Sequence, residues 1–132
     1  LQRELTAEKV PFRSDIQYGI MVETPAAAVM SDVLAEEVDF FSIGTNDLTQ
    51  YTMAADRMNA QVSDLFDPAD PAVLRLIELT AKNAHAAGIW VGICGESAAN
   101  TALTDFYMSV GIDELSVSPA SVPAVKRAII KC

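Results

Sequence analysis

The chain has 132 residues, 51% hydrophobic and 20% charged, with a net charge of −9 at neutral pH. One domain of this length buries roughly two-thirds of its unfolded surface, the composition excludes a disordered chain, and no apolar run approaches the roughly 20 residues that span a bilayer. The acidity speaks against nucleic-acid binding, which needs a basic face, and suits a soluble protein or one that docks a basic partner. Leu1 to Arg13 is charged throughout and does not read as a signal peptide; with no initiator Met, the chain is expected to start inside a longer protein. Two cysteines, Cys94 and Cys132, make no disulfide framework, so a reduced, cytoplasmic setting is expected, with Cys132 free to move as the last residue.

Residues 1–9 read as the tail of a helix. Tyr18 to Val22 is an apolar run of strand length, followed by Thr24-Pro25, an N-cap and a proline at the first helical position. A helix is expected over residues 26–37, a second strand over 39–43 and a short helix from Asn46 to about Ala55. Asp70-Pro71 repeats the cap-proline signal and opens a long amphipathic helix, which runs to Ala87 and is stopped by Gly88. Residues 89–93 form a third strand, 100–110 a helix, 114–117 a fourth strand and 121–131 a last helix. The strands read as apolar on both faces, as in a parallel sheet covered by helices, with right-handed connections. Four βα units fit half of a (β/α)8 barrel, which needs about 250 residues; they equally fit a small open sheet.

Each expected strand is followed by polar residues: Glu23; Asn46 and Asp47; Cys94, Gly95 and Glu96; Ser116 and Ser118. In a parallel sheet these ends share one edge, where barrel active sites lie. A single carboxylate there is as readily a helix cap as a ligand. Glu23 and Asp47 at matched positions on successive strands favour a shared cation, and two carboxylates completed by water and substrate oxygens suit Mg²⁺. Arg57 alone is an ordinary surface residue; beside a phosphate its planar fork matches the oxygens. Cys94 is either a small core residue or an acid, base or nucleophile at a strand end. His85, inside the long helix, is expected to be a partly exposed helix residue and not a phosphoryl acceptor. The five methionines, Met21, Met30, Met53, Met58 and Met108, are expected to fill core gaps.

GIMVETPAA (residues 19–27), FFSIGTNDLTQYTMAADR (40–57) and GICGESA (92–98) together resemble the phosphoenolpyruvate (PEP)-binding domain of the PEP-utilising enzymes. VETPAA together with NDLTQYT and ADR is most similar to the enzyme I branch of the bacterial sugar phosphotransferase system, ahead of pyruvate phosphate dikinase and PEP synthase. The resemblance runs from about Gly19 to the last helix. It implies the C-terminal half of a (β/α)8 barrel that binds PEP and Mg²⁺. Glu23 and Asp47 match the metal ligands, Asn46 and Asp47 the PEP contacts, Arg57 a phosphate-binding arginine, and Cys94 the cysteine that protonates the enolate carbon. It further implies phosphoryl transfer to a protein histidine and on to the phosphocarrier protein HPr, release of pyruvate, a role in sugar uptake, and a homodimer.

The family's further PEP-binding arginines, its phosphohistidine domain and its HPr-docking domain have no counterpart in these residues, so residues 1–132 are expected to be a partial PEP-binding domain with little activity alone. Two other readings compete. One is an inactive half-barrel that closes on a second copy to cover its edges and apolar face. The other is a Mg²⁺-dependent lyase on a related barrel, which TNDLTQYT and GICGES argue against.

Overall fold

A computed structural model describes residues 1–132. The helices are α1 Gln2–Ala7, α2 Pro25–Val29, α3 Ser31–Leu34, α4 Thr45–Met53, α5 Pro71–Ala86, α6 Thr104–Ser109 and α7 Val122–Ile129. The strands are β1 Gly19–Val22, β2 Phe40–Gly44, β3 Trp90–Cys94 and β4 Glu114–Leu115. All four strands are parallel and lie side by side in chain order, β1-β2-β3-β4. Right-handed crossovers between strands taken in this order put the connecting helices on one face of the sheet.

The residue pattern of the strands agrees with that placement. Val22, Phe41, Ile43, Val91 and Ile93 alternate onto one face and are fully buried. They pack in one core with Ala28, Leu48, Tyr107 and the inner stripe of α5, namely Val73, Ile77, Ala81 and Ala84. The opposite face carries Met21, Phe40, Ser42, Trp90 and Glu114 and has no helix over it: Met21 is 51% exposed. On this face Phe40 stacks on Trp90, with ring centroids 4.3 Å apart. Covering by helices on both faces, expected from the apolar strands, is therefore not what the chain does. The open face is apolar enough to read as buried in sequence but finds no cover within these residues.

The expected helix over 26–37 divides at Met30 into α2 and α3. Ser31 supplies the reason: its hydroxyl donates to the Ala28 carbonyl at 2.7 Å and accepts from Asn83 of α5 at 2.8 Å, competing locally with the helical ladder. Residues 96–103 form two short 3₁₀ turns before α6 begins at Thr104, so the expected helix over 100–110 is shorter and starts later. β4 keeps only two residues of the four expected. The caps hold as read: Thr24 Oγ1 accepts from Ala27 N and Asp70 Oδ1 from Ala72 N. Met53 and Met108 pack against the core, but Met21, Met30 and Met58 are exposed, Met58 at 86%, so only two of the five fill gaps. Cys132 is tied rather than loose, its thiol donating to Asp105 Oδ1 at 2.9 Å. No helix is long and apolar enough to cross a membrane.

Candidate active site

The parallel register brings the C-terminal ends of β1, β2 and β3 to one edge. Val22 pairs with Ile43, and Gly44 with Cys94; Glu23, Gly44 and Cys94 thus follow one another across the sheet on its open-face side. A Cβ at Gly44 would lie 2.9 Å from Glu23 Cβ and 3.0 Å from Glu23 Oε2. The missing side chain is what lets the Glu23 carboxylate lie across the end of β2. Gly44 is also the residue from which α4 starts, and Asp47 stands in the first turn of that helix. Both carboxylates therefore sit at the N-terminal end of α4, where the helix dipole favours negative charge.

Arg57 returns to this end from the loop that follows α4. That loop begins where Ala54 takes a left-handed conformation, φ 51°. The guanidinium lies 3.8 Å from Asp47 Oδ1, with side chains 36% and 41% exposed. A half-exposed pair at that distance contributes at most about 1 kcal/mol; it gathers the groups without locking either. Asn46, next to Asp47, accepts from the backbone N–H of Glu96 at 3.3 Å.

Cys94 closes the arrangement. Its thiol donates to the Ile43 carbonyl at 3.5 Å and accepts from Ser42 Oγ at 3.4 Å. It is half-buried at the end of the strand beside the carboxylates. All five residues expected at the site, Glu23, Asn46, Asp47, Arg57 and Cys94, thus lie at one end of the sheet. His85 does not. It pairs with Asp113 at 3.3 Å, and the same Asp113 oxygen accepts from Val91 N at the start of β3, the opposite edge from Cys94.

Several contacts at this edge escaped the sequence reading. Thr45 donates to the Cys94 carbonyl at 2.9 Å and accepts from Ser97 Oγ at 2.7 Å, and Ser97 accepts from the Tyr107 phenol at 2.9 Å. All three are buried. Burial pushes the Tyr107 phenol above its ordinary range, with the Ser97 hydrogen bond opposing. Gly95 has φ 101° and ψ 175°, and a Cβ there would meet Thr45 Oγ1 at 2.7 Å. Ser42 in an otherwise apolar strand was the available signal for the hydroxyl beside Cys94; Ser97 and Tyr107 gave none, being common residue types ten positions apart.

The donor set is hard oxygen: two carboxylates, with no third His, Cys, Asp or Glu completing a cluster. It fits a cation that keeps water and substrate oxygens as ligands, as Mg²⁺ does, and not a closed structural zinc site.

The family described as the PEP-binding domain of PEP-utilising enzymes matches residues 1–132. Among curated relatives, the phosphoenolpyruvate-protein phosphotransferase of Lactococcus lactis subsp. lactis (strain IL1403) is 56% identical over 119 residues, 90% of this chain and 21% of the relative. The protein of the same name from Streptococcus equinus is 57% identical over 118 residues, 89% of this chain and 20% of its own length. That of Buchnera aphidicola subsp. Acyrthosiphon pisum is 47% identical over 131 residues, 99% of this chain and 23% of the relative. The chain spans about a fifth of the length of the curated relatives it matches.

Proposed function

We propose that this chain, which belongs to the family of the PEP-binding domain of PEP-utilising enzymes, contributes the metal ligands and part of the PEP site to a phosphoenolpyruvate–protein phosphotransferase. The observation that carries the proposal is the convergence of Glu23, Asn46, Asp47, Arg57 and Cys94 on one sheet edge. Glu23 and Asp47 are the ligands for Mg²⁺, which when bound supplies positive charge against the phosphate and the enolate. Arg57, loosely held by Asp47, turns its planar fork to phosphate oxygens. Asn46 is fixed through its carbonyl oxygen by the Glu96 amide and keeps its NH₂ free to donate to the substrate.

The reaction proposed breaks the P–O bond of PEP and forms an N–P bond on a histidine outside these residues. His85 stands at the wrong edge for that role. The enolate left behind takes a proton from Cys94: the S–H bond breaks, a C–H bond forms, and pyruvate leaves a thiolate. Ser42 Oγ, already donating to Cys94 Sγ, is placed to stabilise that thiolate. Onward transfer to HPr for sugar uptake, and a cytoplasmic homodimer, belong to the same proposal. In the full-length protein, Glu23→Ala is expected to lower PEP-dependent phosphorylation at least 100-fold, on the order of a lost metal or oxyanion contact. Wild-type rates with saturating Mg²⁺ would reject the assignment. Cys94→Ser is expected to leave phosphorylation nearer normal and to slow pyruvate release, read by coupled reduction of pyruvate; equal release rates would remove Cys94 from the reaction.

The sheet supports the half-barrel reading. β1 and β4 are free edges of a singly wound parallel sheet, and the uncovered face has the place of a barrel interior. That same open face favours a second reading for the isolated chain, a module that closes on another copy. Sedimentation showing a well-folded monomer would contradict closure.

A further inference from the structure

We propose that Tyr107, Ser97 and Thr45 form a one-way chain of hydroxyl hydrogen bonds that positions the Cys94 end of β3 against the first turn of α4. Tyr107 and Ser97 then act on the site as positioning residues without touching it. The proposal deepens the reading of this edge as a PEP site, and its principal measurements do not depend on that reading.

The direction of the chain follows from counting protons. The Cys94 carbonyl only accepts, so the single Thr45 hydroxyl proton goes to it. Thr45 must then accept from Ser97, whose own proton is thereby used, and Ser97 must accept from Tyr107. Every hydroxyl donates once, and successive bonds in a dry chain strengthen one another. The four groups come from four places: α6, the turn after β3, the start of α4 and the last residue of β3. Site residues flank the chain on both sides. Asn46 and Asp47 follow Thr45 directly, while Cys94 and Glu96 border Gly95. The Asn46–Glu96 bond runs alongside as a second, exposed tie between the same two segments. Gly95 is required for the contact, because a side chain there would occupy the space of Thr45 Oγ1.

The test uses the full-length protein, with Cys94 and Glu96 each followed by mass spectrometry on the peptide that carries it. Two quantities are read under conditions where melting curves show every variant folded: the rate of Cys94 alkylation by iodoacetamide, and amide hydrogen exchange at Glu96. Thr45→Val keeps the shape and removes the hydroxyl. It is expected to speed Glu96 exchange about tenfold, as loss of a buried hydrogen bond and its partner's pairing implies, and to change the alkylation rate severalfold. Thr45→Ser restores the hydroxyl and is expected to restore both values. Tyr107→Phe removes only the first donor and shifts both in the same direction by a smaller factor, and it carries the test if Thr45→Val does not fold. Unchanged exchange and alkylation in Thr45→Val or, failing that, Tyr107→Phe, or equal effects of Val and Ser at position 45, would overturn the proposal. In the full-length enzyme Thr45→Val is expected to lower kcat about tenfold, with Thr45→Ser near wild type. If exchange and alkylation respond as expected while full-length wild type shows no PEP-dependent activity, the functional reading fails and the positioning chain stands.

Discussion

Two absent side chains decide the geometry of the candidate site. At Gly44 the space a Cβ would take is filled by the Glu23 carboxylate, and at Gly95 by Thr45 and Asn46. Gly95 also holds a backbone conformation, φ 101° and ψ 175°, that is essentially closed to other residues and costs about 1–3 kcal/mol when forced. Gly95→Ala is therefore expected to destabilise the chain by about 2 kcal/mol or more, read from the denaturation midpoint; an unchanged midpoint would mean the loop relaxes without strain. The polar groups gathered at this end of the sheet were legible in the sequence, because carboxylate, amide, guanidinium and thiol recur after successive apolar runs. The groups that hold them were not. Ser97 and Tyr107 are common residue types whose hydrogen bonds to Thr45 arise only when α6 folds back over the end of β3, and no local pattern encodes such a return.

Among the elements, α5 anchors the fold. Asp70 and Pro71 start it, and Val73, Ile77, Ala81 and Ala84 form its buried stripe beneath β2 and β3. Ile77 is fully buried, so Ile77→Ala is expected to cost about 2–5 kcal/mol through lost burial and a residual cavity, measured by denaturant unfolding; a cost under 1 kcal/mol would mean the core collapses onto the gap. This helix was legible end to end from its cap and its periodicity. The breaks elsewhere were not: α2 and α3 part where Ser31 bonds both to Ala28 and, across the core, to Asn83, a tertiary contact overriding a helical pattern. Burial of Tyr107 within α6 bears on pH as well. Its phenol titrates higher folded than unfolded, so the stability this favours is complete below the ordinary phenol pKa of about 10 and is lost as pH rises through the higher folded value. Replacement by Phe is expected to flatten the alkaline fall in melting temperature; an identical fall in the variant would assign it to other groups.

For the whole molecule, four parallel strands in chain order with helices on one face leave the other face, with Phe40, Trp90 and Met21, without cover. Strand runs apolar on both faces disclosed that a parallel sheet would form. They could not disclose that one face finds no cover within these residues, since burial by a helix and burial inside a barrel demand the same side chains. The same edge of the sheet gathers two carboxylates, an amide, a guanidinium and a thiol, the groups on which the proposed site for PEP and Mg²⁺ depends. Calorimetric titration of PEP into the full-length protein, with and without Mg²⁺, tests it most directly when wild type is compared with Asp47→Ala. Mg²⁺-dependent binding in wild type, weakened at least tenfold by the substitution while the melting temperature is retained, is the result predicted. Equal PEP affinity in the two proteins, or affinity indifferent to Mg²⁺, would contradict it.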